Sequence, residues 1–182
     1  MTAARALFGA RGYGDVGTEE IVRAAGVTRG ALYHQFRDKA DLFAAVAEQV
    51  EAEIAERIAT GAAEAAADPL EVLRVGARLF LEACTETEVQ RIILLDAPAV
   101  LGNEAWRDLA ARYGLGLVEV ALQSAIDAGA IGRQPVLPLA HALVGALDEC
   151  ALYVARAPVP EAARQECAAI FDQILNGLAA SA

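Results

Sequence analysis

From Thr18 to Phe43 the chain reads TEEIVRAAGVTRGALYHQFRDKADLF, and this stretch limits the fold more than any other. Thr18 offers a hydroxyl to cap free backbone N–H groups, and Glu19 and Glu20 follow where a helix dipole favours negative charge. Gly26 tolerates the left-handed conformation that stops a helix, and Thr28 then stands as a second N-cap. Two short helices joined by so tight a turn make a helix-turn-helix, a unit that lays its second helix in a DNA major groove. In that second helix Leu32 and Phe36 share one face, with Val27 as the inner anchor of the turn. Gly30, Tyr33 and His34 project from the opposite side, and Arg29 flanks the N-terminal end.

Two residues here run against local helix preference, and such conflicts gather at functional positions. Gly30 inside a helix costs about 1 kcal/mol relative to Ala, and Lys39 directly follows Asp38, a good N-cap, where the dipole disfavours a cation. Both suit a nucleic-acid surface. A residue without Cβ lets a backbone come close, and a Lys at a helix N-terminus adds its charge to the N–H groups around one phosphate. The structural alternatives are close helix packing at Gly30 and a solvated surface cation at Lys39.

Ala3-Ala4, Leu7-Phe8 and Gly12-Tyr13 precede this stretch, followed by Thr18, Ile21, the run from Ala24 to His34, then Phe36, Lys39 and Leu42-Phe43. In this spacing they resemble the N-terminal domain of the tetracycline-repressor (TetR) family of bacterial regulators. The resemblance implies an all-α homodimer that binds a pseudo-palindromic, double-stranded operator and releases it when a small organic molecule enters the C-terminal domain. By position it implies that Thr28, Arg29, Gly30, Tyr33 and His34 face bases and phosphates while Thr18 and Lys39 clamp the backbone. Family members usually carry more of helix 1 and a basic arm before the Ala-Ala pair, whereas this sequence begins at Met1. Either the start is truncated or the arm is absent. The second reading is therefore a helical, dimeric small-molecule-binding protein whose DNA binding is impaired by a short helix 1.

A net charge of −10 argues against DNA until its distribution is read. Residues 1–43 hold six basic and five acidic side chains, and the remaining 139 hold nine basic and 20 acidic ones. The asymmetry separates a DNA-facing head from a body that DNA repels, although the head is weakly charged and must rely on a good operator and on dimerisation. No apolar run reaches the roughly 20 residues of a membrane span, the longest uncharged stretch in that region being Gln134 to Leu147. No secretory signal is present either, so the expectation is a cytoplasmic protein with no membrane partner. Cys84, Cys150 and Cys167 are odd in number and far apart in sequence, which favours buried free thiols over disulfides or a metal site.

The periodicity predicts helices throughout and no strand. Thr2 to Arg11 reads as helix 1, and the Gly12-x-Gly14-x-x-Gly17 pattern after it lacks the preceding strand that a dinucleotide site needs. Leu42, Val46, Val50, Ile54 and Ile58 predict a linking helix over about 39–60, with the head ending at residue 43 and a helical ligand-binding and dimerisation domain over 44–182. Asp68-Pro69 caps the next helix, which runs to about Cys84; Thr87 to Asp96 forms another that Pro98 breaks; Asn103 to Gly129 is long. Pro138 starts a helix through Tyr153, and the last runs from Pro160 to about Leu178. On these two, an apolar arc including Leu143, Leu147, Phe171 and Ile174 is wider than one core contact needs, compatible with the family's four-helix dimer bundle.

Enzyme chemistry finds no support. The His residues are His34 and His141, with no metal spacing, no nucleophile beside a base and no credible phosphate loop, so catalytic residues, metals and cofactors are all expected to be none. His141 reads as a hydrogen-bonded core histidine with a pocket role as the alternative. In the family the ligand cavity lies among the helices after the linker. There this sequence places Phe80, Leu81, Ile92, Leu95, Trp106, Tyr113, Leu117 and Tyr153, with His141 or Glu149 as the polar contact. A mostly apolar pocket is the expectation.

Overall fold

Thr28 accepts a hydrogen bond from the Ala31 N–H at 3.2 Å, so the second helix of the turn starts where its N-cap stands. Asp38 does the same for the Asp41 N–H at 2.8 Å, and Asp68 accepts from Leu70 and Glu71 with Pro69 as the first helical residue. Gly26 closes the preceding helix in the left-handed region, at φ 66° and ψ 27°, with its own N–H and that of Val27 returned to Arg23 and Val22 carbonyls. Thr18 departs from expectation. The N-cap is Gly17, Thr18 is already helical, and its hydroxyl makes no capping bond.

The computed structural model describes residues 1–65 and 67–179. Among them the helices are α1 (Thr2–Arg11), α2 (Thr18–Ala25), α3 (Arg29–Gln35), α4 (Lys39–Glu64) and α5 (Pro69–Ala83). α6 begins as Thr87–Val89, continues π-wound over Gln90–Asp96 and ends as Ala97–Leu101. α7 runs as Asn103–Ala110, a π-wound Ala111–Leu115 and Gly116–Asp127; α8 is Val136–Arg156 and α9 Pro160–Leu178. No strand occurs among the described residues, and the all-α expectation is met. Ala66, in the alanine-rich stretch after α4, lies outside the described residues.

Pro98 does not break its helix. The wider π turn ahead of it moves the carbonyls that a proline ring would strike, and α6 stops instead at Gly102, whose φ of 86° no L side chain adopts readily. α8 starts at Val136, before Pro138. It is also long and apolar enough to cross a membrane by length and composition, yet Asp148 and Glu149 sit near its middle and Ala140, Leu143, Leu147 and Val154 pack into a helical core.

The chain divides into two compact units. The first comprises Met1–Ala52 and Glu86–Leu109, so a later segment of the chain joins the head. Its centre is an aromatic trio: Phe8 and Tyr13 meet Phe43 edge-on at 5.3 and 5.2 Å, and lie 5.9 Å from each other. α6 docks on α1 through Arg5, which donates to Glu88 from Nε at 3.0 Å and Nη2 at 2.7 Å. Gly9 permits this approach, since a Cβ there would stand 3.0 Å from Glu88 Cγ. The backbone N–H of Tyr13 donates to Asp96 at 2.6 Å.

The second unit comprises Glu53–Thr85 and Ala110–Ala182, and its core is built by α5, the later part of α7, α8 and α9. Leu81, Leu122, Ala140, Val154, Phe171 and Leu175 are buried there. At the start of α9, hydrogen bonds from Arg164 and then Gln165 hold the Glu161 carboxyl down to about 2. Cys167 of α9 and Cys150 of α8 are far apart in sequence, yet the fold brings the two thiols close enough that Cys150, after burial, helps push the Cys167 thiol up to about 11.

Candidate nucleic-acid interface

α3 buries Leu32 and turns Arg29, Gly30, Tyr33 and His34 outward, as its periodicity predicts. Val27 does not anchor the turn from inside. It is 44% exposed and borders a cavity of about 410 Å³ whose apolar wall includes Ala4, Ile21, Leu32 and Phe36. At Gly30 an added Cβ would meet only the Thr28 hydroxyl oxygen, at 3.9 Å. Helix packing therefore does not require glycine at this position, and the space beside the helix start is open.

Four of the five arginines of the head are engaged, Arg5 with Glu88 as described above. Arg29 donates from Nη1 to Glu19 at 2.8 Å and holds its guanidinium 5.5 Å from the Tyr33 ring centroid. Arg11 pairs with Glu20 at 2.5 Å and with the Asp15 carbonyl, and Arg37 pairs with Asp41 at 2.8 Å. Among the described residues of the head, Arg23 is exposed and has no ion pair. The first turn of α2 thus supplies two carboxylates, Glu19 and Glu20, that reach cations on other elements rather than only serving the helix dipole.

Lys39 is not the solvated cation of the structural alternative. Its Nζ donates to the carbonyls of Tyr13 at 2.8 Å and Val16 at 3.0 Å and lies 3.9 Å from the Tyr13 ring centroid, so it ties the α1–α2 loop to the start of α4. Burial, then the charge of Asp38, push the Tyr13 hydroxyl above its ordinary range. An ammonium has three donors; two are occupied here. Thr18 and Thr28 complete the predicted set, the first with an unused hydroxyl at the α2 start and the second with its oxygen committed to the α3 cap.

The residues predicted to line a ligand pocket fall into distinct environments. Leu81 and Ile92 are fully buried, Trp106 is 8% exposed, and Phe80, Tyr113 and Leu117 are half-buried. Leu95 is half exposed. The Trp106 indole N–H is buried and donates to no atom among the described residues. His141, Glu149 and Tyr153 are exposed on one side of α8, so His141 is not a core histidine, and Ile92, Leu95 and Trp106 belong to the first unit while the rest of the set belongs to the second. Leu137 and Gly145 share that side.

Residues 1–46 match the family model described as bacterial regulatory proteins, tetR family, and residues 70–178, over half of the chain, match the tetracyclin repressor-like C-terminal domain. The chain belongs to the TetR family. Its TetR-type head and body are also found in a solved TetR-family transcriptional regulator from Pectobacterium atrosepticum, with 34% identity, a TM-score of 0.87, and coverage of 99% of this chain and 92% of that one. The HTH-type transcriptional regulator AcrR of Shigella flexneri is 41% identical over 96 residues, which are 53% of this chain and 44% of AcrR. The match thus spans less than half the length of that relative. RolR, solved in complex with its ligand resorcinol, shares the TetR fold at 20% identity and a TM-score of 0.75, with coverage of 95% and 83%.

Proposed function

We propose that this TetR-family regulator is a repressor that binds a pseudo-palindromic operator as a homodimer and leaves it when a small, mostly apolar ligand enters the C-terminal domain matched over residues 70–178. The observation that carries the DNA-binding part is the open space at Gly30, flanked by exposed Arg29, Tyr33 and His34 on a capped helix start. A Cβ is missing where neither packing nor φ requires its absence, and close approach of a duplex supplies the reason.

Dimerisation draws on the exposed apolar side chains of the last two helices. Leu137 and Tyr153 of α8 and Ile170 and Ile174 of α9 are each at least 40% exposed, which a partner copy relieves. Ligand response draws on the fold shared with resorcinol-bound RolR and on the Trp106 N–H, a buried donor suited to a carbonyl or phenol oxygen. By linkage, a 100-fold loss of operator affinity requires about 2.7 kcal/mol of preference for the released conformation.

The test is a gel shift with DNA upstream of the protein's own gene, run over a range of salt and repeated with aromatic and lipophilic compounds while Trp106 emission is followed. A specific shift, reversed by a compound that also changes the emission of this sole Trp, is the expected result. Compound binding with no shift on any duplex favours the alternative of a ligand-binding dimer without operator affinity.

A further inference from the structure

The operator-facing side of the head carries an acidic residue where a phosphate-binding surface has least use for one. Glu19 is 65% exposed in α2, Arg29 is 64% exposed in α3, and their 2.8 Å ion pair crosses the turn between the two helices. Helix-dipole compensation alone explains a carboxylate in the first turn, and Glu20 also stands there, directed to Arg11. Glu19 instead reaches the guanidinium at the start of the recognition helix, which also lies over Tyr33 at 5.5 Å. The three side chains form one relay: carboxylate, guanidinium, ring.

We infer that Glu19 is a positioning residue for sequence discrimination, holding Arg29 away from phosphates so that the guanidinium is given up only to a base edge that accepts it well. This rests on the proposed DNA-binding function. An exposed ion pair is worth only about 0.2–1 kcal/mol, so Arg29 leaves Glu19 readily for a bidentate acceptor such as the O6/N7 edge of guanine. Releasing Arg29 leaves the Glu19 carboxylate unpaired beside a polyanion whichever acceptor takes the guanidinium, and only a head held in register by further base contacts offsets that loss. Binding through phosphates alone is thereby penalised more than binding to the right sequence.

The experiment compares wild type, Glu19→Gln, Arg29→Ala and the double variant on two duplexes of equal length: one selected by the wild type from a random pool, and one with the same composition scrambled. Both positions are exposed, and thermal melts check that the variants fold. Glu19→Gln should bind the scrambled duplex more tightly, with the operator-to-scrambled ratio falling about tenfold, the scale of one discriminating base contact. Its salt dependence on that duplex should steepen by about 1.8 for two heads, from one added phosphate contact each. The gain should vanish when Arg29 is also removed. An unchanged ratio and slope, equal losses on both duplexes, or a gain that survives without Arg29 each overturn the role of Glu19. If the wild type discriminates between no duplexes at all, the DNA-binding function itself fails; if it discriminates and Glu19→Gln discriminates equally, only this inference does.

Discussion

Arg5 grips Glu88 by two hydrogen bonds across 83 positions of sequence, and this pair fastens α6 to α1. The pair is partly buried, at 21% and 34% side-chain exposure, so it exceeds an ordinary surface ion pair. Arg5→Ala or Glu88→Ala should each destabilise the protein by about 1–2 kcal/mol, with a coupling of about 1 kcal/mol in the double-mutant cycle. Additive losses in urea melts would show that the two residues act independently.

Gly30→Ala should move stability and DNA affinity in opposite directions. The free head has room for the methyl and gains about 0.4–1 kcal/mol from reduced chain entropy, whereas the duplex loses its close approach. A rise in melting temperature together with weaker operator binding is expected; unchanged binding would remove the reason offered for glycine here.

Lys39→Ala should weaken binding to every sequence and also lower the melting temperature, because the ammonium ties down the Tyr13 and Val16 carbonyls. Hydrogen bonds from a charged donor contribute about 1.5–3 kcal/mol each before relaxation. A variant that loses DNA affinity with an unaltered melt would restore Lys39 to a purely phosphate-binding role.

Ile174→Glu and Leu137→Glu should give helical monomers by light scattering, since both side chains are exposed in the single chain. Leu147→Glu should instead unfold the second unit, because Leu147 is 8% exposed and belongs to its core. Dimers persisting in both exposed-site variants would place the interface elsewhere.

Cys167 should resist alkylation in the native protein at pH 8. Burial, and then its contact with Cys150, push the thiol up to about 11, while an unfolded thiol titrates at about 8.5. The folded chain therefore keeps its proton to higher pH than the unfolded chain, and the associated stability is intact below the unfolded value and lost as pH climbs towards 11. Peptide-resolved iodoacetamide labelling checks this; fast labelling of Cys167 at pH 8 contradicts it.

The local parts of this molecule were legible in the sequence because their causes are local. Gly26, Thr28, Asp38 and Asp68 stop or start helices through bonds made within a few residues, and Leu32 faces inward by simple periodicity. Thr18 misled because Gly17 beside it serves as the cap. Pro98 misled because a π turn, which has no side-chain signature here, relieves the clash that ends most helices at proline. The docking of α6 on α1 and the meeting of Cys150 with Cys167 depend on which helices become neighbours, and no periodicity encodes that. The same holds for Glu19: its distance of ten residues from Arg29 fits no helical pairing rule, so only the bend at Gly26 brings them together.

That residues 86–109 belong with the head bears on anyone who builds chimaeric regulators from this chain. A cut after residue 43 looks natural, yet it strips Arg5 of Glu88 and leaves the Tyr13 amide without Asp96. A head grafted that way onto a foreign body inherits acceptors shaped for a different helix 1. The transplantable module is discontinuous, so the graft has to carry the head and its α6 brace as two separate pieces of sequence.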